Sequence, residues 1–199
     1  MIYSQKIQKA IKFATKTHEV YPNPKQTRKG KDIPYITHPL IVGFILARAG
    51  ASEDVVIAGI LHDTIEDSTE ERKVTREMLT ERFGENVAQL VSSVTEHDKE
   101  MSWQARKDEA FEHIQSFSHD EVLVKSGDVI SNLSDLLEDI KQKGDEAFGS
   151  FKGTKEQTIE HALRVIPALI AQWPASPLSA DLEAIEANLA KLAARSGRP

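Results

Sequence analysis

The sequence predicts an all-α protein. Apolar residues recur three and four positions apart over residues 7–14 and again over residues 87–94, which is the spacing of one face of an amphipathic helix. Residues 118–121 and residues 154–157 have the capping-box pattern that opens a helix. Alternation of apolar and polar residues between turn residues, which would indicate strands, is nowhere convincing. Helices therefore account for the whole predicted fold.

In the first third of the chain, one long loop separates the predicted helices. Ser4 is a candidate N-cap for the first helix. Residues 19–34 contain three prolines, an asparagine and a glycine, so we expect a loop there. The next helix should begin near residues 38–39, because proline suits the first helical turn. Ser52, followed by two acids, should cap a helix that carries the apolar run of residues 55–61.

In the last third, residues 172–177 contain two prolines and separate a final alanine-rich helix from the rest. That helix has a heptad-like apolar seam, which could dock on the core or on a second subunit: Leu182, Ile185, Leu189 and Leu192. Docking on its own core is the simpler choice. We therefore predict one domain over residues 1–172 and a C-terminal amphipathic helix over residues 173–199, with a homo-oligomer left open.

Composition and charge exclude several classes of protein. With 199 residues, 40% hydrophobic and 28% charged, the chain suits one globular core. No stretch approaches the roughly 18 apolar residues of a membrane span. The N-terminus lacks the apolar region of a secretory signal and there is no cysteine, so we predict a cytoplasmic protein. A net charge of −6 argues against nucleic acid or an anionic membrane as a partner, with a local exception in the basic run of residues 25–31.

An acidic cluster follows the apolar run of residues 55–61. His62 and Asp63 come directly after it, and on a continuing helix Glu66 and Asp67 would lie one turn later on neighbouring stripes. Carboxylates are almost never buried without a partner, because removing one from water is costly. Some other group must therefore compensate these acids.

The dipeptide His-Asp alone carries little information, because it occurs three times. Residues 97–98 lie in a polar break between predicted helices. Residues 119–120 lie in the first turn of a capped helix, where an acid interacts favourably with the helix dipole. Both have simple surface explanations, whereas the pair at residues 62–63 ends a buried segment.

Basic side chains, protonation or a metal ion could compensate the acids that follow the apolar run. Few basic residues lie nearby beyond Arg72 and Lys73, and protonation would need strongly raised pKa values for several adjacent acids. A divalent ion is compatible with histidine and aspartate together. The alternative is a solvated helix end with His62 turned into the core.

Further ligands must come from elsewhere in the chain. His38 stands at the start of an apolar helix, and Asp128 shares a helical face with Lys125 and Asn132. Without a metal, His38 would be a capping or core histidine, and Asp128 would pair with Lys125 at the surface. Together, four side chains would supply nitrogen and oxygen ligands that suit Mn²⁺, Fe²⁺ or Zn²⁺: His38, His62, Asp63 and Asp128.

Glu66 and Asp67 are the candidate catalytic residues beside such an ion. A bound divalent ion lowers the pKa of water from ~16 towards ~7 and polarises a phosphoryl oxygen. A carboxylate one turn beyond the ligands can orient or deprotonate that water. The cluster therefore points to metal-assisted hydrolysis.

These motifs resemble a known family. They follow the order found in HD-superfamily hydrolase domains of the RelA/SpoT type, and most closely in small alarmone hydrolases: residues 26–29, 34–39, 61–68 and 125–133. The resemblance covers roughly the first 170 residues and implies an all-α HD-domain helical bundle. It also implies that the chain binds Mn²⁺ and removes the 3′-pyrophosphate from guanosine tetra- and pentaphosphate (ppGpp and pppGpp). The expected partner is then a small-molecule nucleotide.

The resemblance also implies a role for each residue of the site. It aligns four residues with the metal ligands: His38, His62, Asp63 and Asp128. It aligns Glu66 and Asp67 with the pair that activates water, and it implies substrate contacts at Arg28, Lys29, Lys125 and Asn132. For the basic loop the chemistry agrees, because arginine offers a fork and lysine a point charge to a pyrophosphate. Without the resemblance, a solvated basic loop would be the default interpretation.

The chain departs from the family pattern at positions that are expected to face the substrate. The step from His18 to the basic residues of the loop is longer than usual, and Gly127 and Val129 stand where the family commonly has alanine and a basic residue. Two alternatives stay open: an HD-domain phosphohydrolase for another nucleotide, and a nucleotide-binding sensor without turnover. The presence of Glu66 and Asp67 favours turnover.

Overall fold

The computed structural model describes residues 4–96 and 101–196, and within these ranges the protein is helical without any strand, which confirms the predicted all-α class. The α-helices are α1 (Gln5–Thr15), α2 (Thr37–Arg48), α3 (Glu53–Leu61), α4 (Thr64–Asp67), α5 (Arg76–Phe83), α6 (Glu85–Val94), α7 (Trp103–Ile114), α8 (His119–Lys143), α9 (Lys155–Gln172) and α10 (Ser179–Ser196). A π-helical turn covers Lys16–Val20, and 3₁₀ turns cover Glu70–Arg72 and Gly144–Ser150.

Local capping signals mark the helix starts that the sequence predicts. The side chains of Ser4 and Ser52 accept hydrogen bonds from backbone N–H groups in the first turns of α1 and α3. Ser118 and Thr154 each form a complete capping box at the start of α8 and α9. These caps satisfy donors that a helix start would otherwise leave without partners.

Close contacts at glycines bring α2, α3 and α8 together. A Cβ atom added to Gly43 of α2 would lie 2.6 Å from Ile60 Cγ1, and one added to Gly59 of α3 would overlap Leu46 Cδ1. Gly127 of α8 faces the same Leu46 at ordinary contact distance. His38 lies on α2 and Asp128 on α8, and His62 and Asp63 directly follow α3, so the close approach of these helices positions the candidate site.

The predicted continuous helix through Asp67 is wrong, because α3 ends at Leu61 and the one-turn helix α4 begins at Thr64. Asp63 turns the chain with φ −91° and ψ −3°. The Thr64 hydroxyl donates to the Leu61 carbonyl at 2.7 Å and thereby satisfies an acceptor at the helix end. The Asp67 N–H still donates to the Asp63 carbonyl at 2.9 Å, so the four-residue spacing survives the break.

The π-helical turn also modifies a prediction, because it extends helical structure into the expected loop as far as Val20. The remaining loop of residues 21–36 connects this turn to α2 and contains a bridge between Thr27 and Pro34. π-Helical turns are rare and often occur at functional sites. Here the turn places His18 in the interior, where it is fully buried.

The C-terminal helix packs on the chain's own core. Leu182, Ile185 and Leu189 are buried, and Leu192 packs against the same core. The division at residue 172 stays a prediction. No helix among the described residues is long and apolar enough to span a bilayer, and the cellular compartment stays a prediction as well. His97 and Asp98 lie outside the described residues.

Candidate metal centre and adjoining cavity

Three of the predicted ligands, His38, His62 and Asp128, come together beside α2, α3 and α8, and the fourth, Asp63, adjoins the two imidazoles. The Nε2 atoms of His38 and His62 are 3.2 Å apart. Asp63 Oδ2 lies 3.1 Å from His62 Nε2 and 3.6 Å from His38 Nε2. Asp128 Oδ1 lies 3.4 Å from His38 Nε2 and 3.7 Å from His62 Nε2. Residues separated by as many as 90 positions in sequence are therefore neighbours in space.

Both imidazoles are held by their other nitrogen. His62 Nδ1 lies 2.8 Å from the Gly59 carbonyl, and a carbonyl can only accept, so Nδ1 carries the proton and Nε2 faces the acids. His38 Nδ1 lies 2.9 Å from Ser131 Oγ. Metal-binding histidines commonly use their second nitrogen in this way, because it fixes the ring orientation. The two histidines are thus oriented as ligands would be.

The donor set fits a divalent ion. One ligand atom from each of His38, His62 and Asp128 lies within 4.8 Å of the others. Two atoms that each coordinate an ion at about 2.1 Å can be at most about 4.2 Å apart. The distances between these donors, 3.2, 3.4 and 3.7 Å, are all shorter. Asp63 adjoins both imidazoles, and the Tyr35 hydroxyl donates to its Oδ2 at 2.5 Å. Mixed nitrogen and oxygen ligands suit Mn²⁺, Fe²⁺ or Zn²⁺.

The acids of the cluster favour the protonated form of His62. Burial alone would lower the pKa of His62, but the carboxylates of Asp63 and Asp128 raise it well above its usual value. Burial would likewise raise the pKa of Asp63, but the charge on His62 holds it below its ordinary value. A divalent ion requires neutral imidazoles, so its binding would displace this proton.

A cavity of about 610 Å³ adjoins the cluster. Glu66 and Asp67, the predicted catalytic pair, line it. Burial raises the pKa of Glu66, with smaller contributions in the same direction from Asp63 and Glu96. A carboxyl group with a raised pKa can exchange protons nearer to neutral pH. The backbone carbonyl of Asp67 accepts a hydrogen bond from Gln26 Nε2 at 2.7 Å, which ties α4 to the basic loop.

The four predicted substrate-binding residues line the same cavity: Arg28, Lys29, Lys125 and Asn132. Arg28 Nη2 donates to Asn132 Oδ1 at 2.9 Å, and Asn132 Nδ2 donates to Asp128 Oδ1 at 2.6 Å. Lys125 Nζ donates to Asp128 Oδ2 at 2.9 Å, so the expected Lys125–Asp128 pair exists but faces the cavity.

Lys29 lies over the ring of Phe151, with its Nζ 5.2 Å from the ring centroid. Burial lowers the pKa of Lys29, and the neighbouring charges of Lys107 and Arg28 lower it further. This concentration of positive charge would stabilise a bound anion. The walls of the cavity thus place cations beside the acidic ligand cluster.

Sequence reasoning missed a second group of charged residues in the cavity wall. Glu96 directly precedes the predicted polar break at residues 97–98, yet its side chain is only 12% exposed and forms ion pairs with Arg106 and Lys107 of α7. All three residues line the cavity. Their separation of ten and eleven positions across a linker follows no helical spacing, so no pattern in the sequence indicates the contact.

His161 of α9 was missed as well. It lines the cavity, and its ring lies 6.2 Å from that of Trp103. Burial, together with the charges of Lys107 and Lys125, lowers the pKa of His161 to about 4. At neutral pH this imidazole is therefore uncharged. Nothing in the helical pattern of α9 distinguishes this histidine from a surface residue.

Comparison with known proteins identifies the family of this chain. Residues 10–152 match the family model of the HD domain, and the chain belongs to the HD-domain family. Among its relatives is the guanosine-3′,5′-bis(diphosphate) 3′-pyrophosphohydrolase MESH1 of Xenopus tropicalis, which is 37% identical over 133 residues, or 65% of this chain and 69% of that protein. A guanosine-3′,5′-bis(diphosphate) 3′-pyrophosphohydrolase of Aquifex aeolicus is 34% identical over 139 residues.

The extent of the match differs between these relatives. The aligned region covers 70% of this chain but only 18% of the Aquifex aeolicus protein. A solved structure, described as a metazoan ortholog of SpoT that hydrolyses ppGpp, is similar with a TM-score of 0.75 and 27% identity. That similarity covers 93% of this chain and 96% of the other. The likeness to the metazoan protein therefore extends over nearly all of both chains.

Proposed function

We propose that this chain is a metal-dependent hydrolase that removes the 3′-pyrophosphate from ppGpp and pppGpp. The observation that carries the proposal is the cluster of two histidines and two aspartates beside a cavity whose walls include several basic side chains. A pyrophosphate needs both features, because its reacting phosphorus must be polarised and its charge must be neutralised. The names of the relatives support guanosine polyphosphates as substrates.

The ion in this proposal is Mn²⁺, with Fe²⁺ or Zn²⁺ as alternatives. It would be held by four residues: His38, His62, Asp63 and Asp128. When bound, such an ion lowers the pKa of a water molecule and polarises a phosphoryl oxygen. Tyr35 supports this role of Asp63, because its hydroxyl donates to the carboxylate and fixes its direction.

Glu66 and Asp67 would manage the protons of the reaction. The oxygen of water forms a bond to the phosphorus attached to the ribose O3′, and the bond from that phosphorus to O3′ breaks. The water proton passes to a carboxylate of the pair, and O3′ receives a proton as it leaves. From ppGpp the products are GDP and pyrophosphate, so atoms and charge balance.

Arg28, Lys29, Lys125 and Asn132 would bind the substrate. Arg28 and Lys29 lie on the loop that faces the cavity and can contact the charged phosphates. Lys125 and Asn132 contact Asp128 and so place a cation and an amide next to the ion site. We expect these contacts to lower the Michaelis constant more than they raise the turnover number.

The test is incubation of the purified protein with ppGpp and Mn²⁺, followed by separation of GDP and pyrophosphate. Glu66→Gln should bind the ion and lose turnover, whereas the exposed Glu71→Gln should behave as the wild type. Cleavage of other nucleotides but never of ppGpp would replace the specific proposal with the broader HD-domain phosphohydrolase. Binding of ppGpp without any cleavage would favour the sensor.

A further inference from the structure

Four polar side chains of α8 form a stripe that leads away from the candidate metal centre. Their spacing of four, three and four residues puts them on one face of the helix: Asp128, Asn132, Asp135 and Asp139. The first of them belongs to the ligand cluster, and the other three extend along the cavity wall. The loop of residues 21–36 lies beside this stripe.

Two basic residues of the loop bind the stripe. Arg28 Nη2 donates to Asn132 Oδ1 at 2.9 Å and to Asp135 Oδ2 at 3.1 Å. Lys31 Nζ donates to Asp135 Oδ1 at 2.5 Å and lies 2.8 Å from Asp139 Oδ2. The side chains of Arg28 and Lys31 are only 13% and 12% exposed. The carboxylate of Asp135 is 36% exposed, so these ion pairs are shielded from solvent mainly on the side of the basic residues.

The contacts leave part of the Arg28 guanidinium available. Within residues 4–96 and 101–196 its hydrogen bonds all run through Nη2, so the protons of Nη1 and Nε can be donated to an anion. Lys31 binds Asp139 as well as Asp135, and Asp139 also pairs with Lys143, so this network of three cations and two carboxylates keeps one net positive charge. Asp135 thus holds Arg28 without cancelling its charge.

We propose that Asp135 is a positioning residue for phosphate binding, which acts by holding the Arg28 guanidinium against α8 with its remaining donors towards the cavity. The inference rests on the proposed function, because it gives Arg28 a phosphate to bind. An arginine that is already held loses less conformational freedom when it binds its ligand. Asp135 lies seven residues from Asp128 on the same helix, so it also fixes Arg28 relative to the ion site.

A double-mutant cycle tests whether Asp135 acts through Arg28. The dissociation constant for inorganic pyrophosphate is measured by calorimetry at a fixed Mn²⁺ concentration, and the Michaelis constant for ppGpp is measured in parallel. Asp135→Asn should raise both constants about three- to tenfold while the turnover number stays within about twofold. In an Arg28→Met background the same substitution should change them less than about twofold. Asp135→Glu, which keeps the charge, should restore part of the loss.

A matched control comes from another aspartate–arginine pair. Asp108 lies 2.7 Å from Arg164 Nη1, and neither residue lines the cavity. Asp108→Asn should leave both constants unchanged. If Asp135→Asn does not fold, Asp135→Glu carries the cycle, because it should shift the constants only when Arg28 is present.

Equal effects of Asp135→Asn in both backgrounds would overturn the inference, as would tighter pyrophosphate binding or no binding by the wild type. If pyrophosphate binding shows the predicted coupling but the protein never cleaves ppGpp, only the proposed function is contradicted. Cleavage of ppGpp without coupling would contradict only the role of Asp135.

Discussion

The packing of α2 on α3 predicts that Gly59→Ala weakens both the fold and the metal site. The added methyl group would overlap Leu46 Cδ1 and lie 3.1 Å from Val42 Cγ1. Leu46 and Val42 are fully buried, so neither side chain can turn out to solvent. Either α2 or its side chains must move, and α2 also carries His38.

The magnitude follows from a comparison with Gly127→Ala. Both substitutions replace a helical glycine and gain about 1 kcal/mol of helix propensity, so this gain cancels between them. A methyl group at Gly127 would lie 3.3 Å or more from its neighbours, which is a tight but tolerable contact. Overpacking at Gly59 costs about 1–3 kcal/mol. In a chain of this size the variants should therefore differ by about 2–12 °C in melting temperature.

Thermal melting followed by circular dichroism measures the difference in stability, and calorimetric titration with Mn²⁺ measures the effect on the site. We expect the Gly59→Ala protein to have a lower melting temperature than the Gly127→Ala protein. It should also bind Mn²⁺ about tenfold more weakly, because loss of a contact that supports a metal-binding residue typically has an effect of this size. A Gly59→Ala protein as stable as its partner variant, with unchanged Mn²⁺ affinity, would refute this account of the packing.

Three further predictions concern single side chains. Asp63→Ala and Asp128→Ala should lose Mn²⁺ binding and turnover together, whereas Glu66→Gln should keep the ion and lose turnover. Calorimetry measures Mn²⁺ binding and the GDP assay measures turnover. Full Mn²⁺ affinity in Asp128→Ala would exclude Asp128 as a ligand. Arg28→Ala should raise the Michaelis constant for ppGpp about tenfold or more at nearly constant turnover number, since a charged hydrogen bond contributes about 1.5–3 kcal/mol. An unchanged Michaelis constant would contradict the phosphate contact. His161 has a pKa of about 4 in the folded protein, below the value of about 6.5 in the unfolded chain. Between these two pH values the unfolded chain therefore binds more protons than the folded protein, and the free energy of unfolding falls as the pH drops below about 6.5. Between pH 7.5 and pH 5 the free energy of unfolding should fall in both proteins, but by about 1 kcal/mol less in His161→Gln than in the wild type, after allowance for partial solvent screening. Urea denaturation at the two pH values measures these losses. Equal losses in both proteins would show that His161 is not responsible.

Local patterns predicted the helices well because the interactions that start a helix are local. The side-chain caps at Ser4, Ser52, Ser118 and Thr154 lie within three residues of the groups they bind. The end of α3 was not predictable in the same way. The apolar run leads smoothly into residues 62–67, and the break there depends on the turn at Asp63 and on the contact of Thr64 with Leu61.

The cluster of histidines and acids was predictable from the chemical conflict it creates, since histidine and acids directly after a buried segment require compensation; that these residues bind an ion stays a prediction. Its assembly from α2, α3 and α8 depends on tertiary packing at glycines, which no periodicity reveals. The roles of the individual residues rest on the family resemblance. The contact of Glu96 with Arg106 and Lys107 was not predicted, because it joins the segment after α6 to α7 at a separation of ten and eleven residues, which matches no helical spacing.

Helix α8 sets the distance between the candidate ion site and the residue that holds Arg28. Seven residues separate Asp128 from Asp135, which at about 1.5 Å per residue is about 10 Å along the helix axis. A continuous helix cannot shorten or lengthen this interval without losing backbone hydrogen bonds. Attempts to engineer the protein for substrates with differently spaced phosphates should therefore alter the loop of residues 21–36 or the walls contributed by α7 and α9, and leave α8 intact.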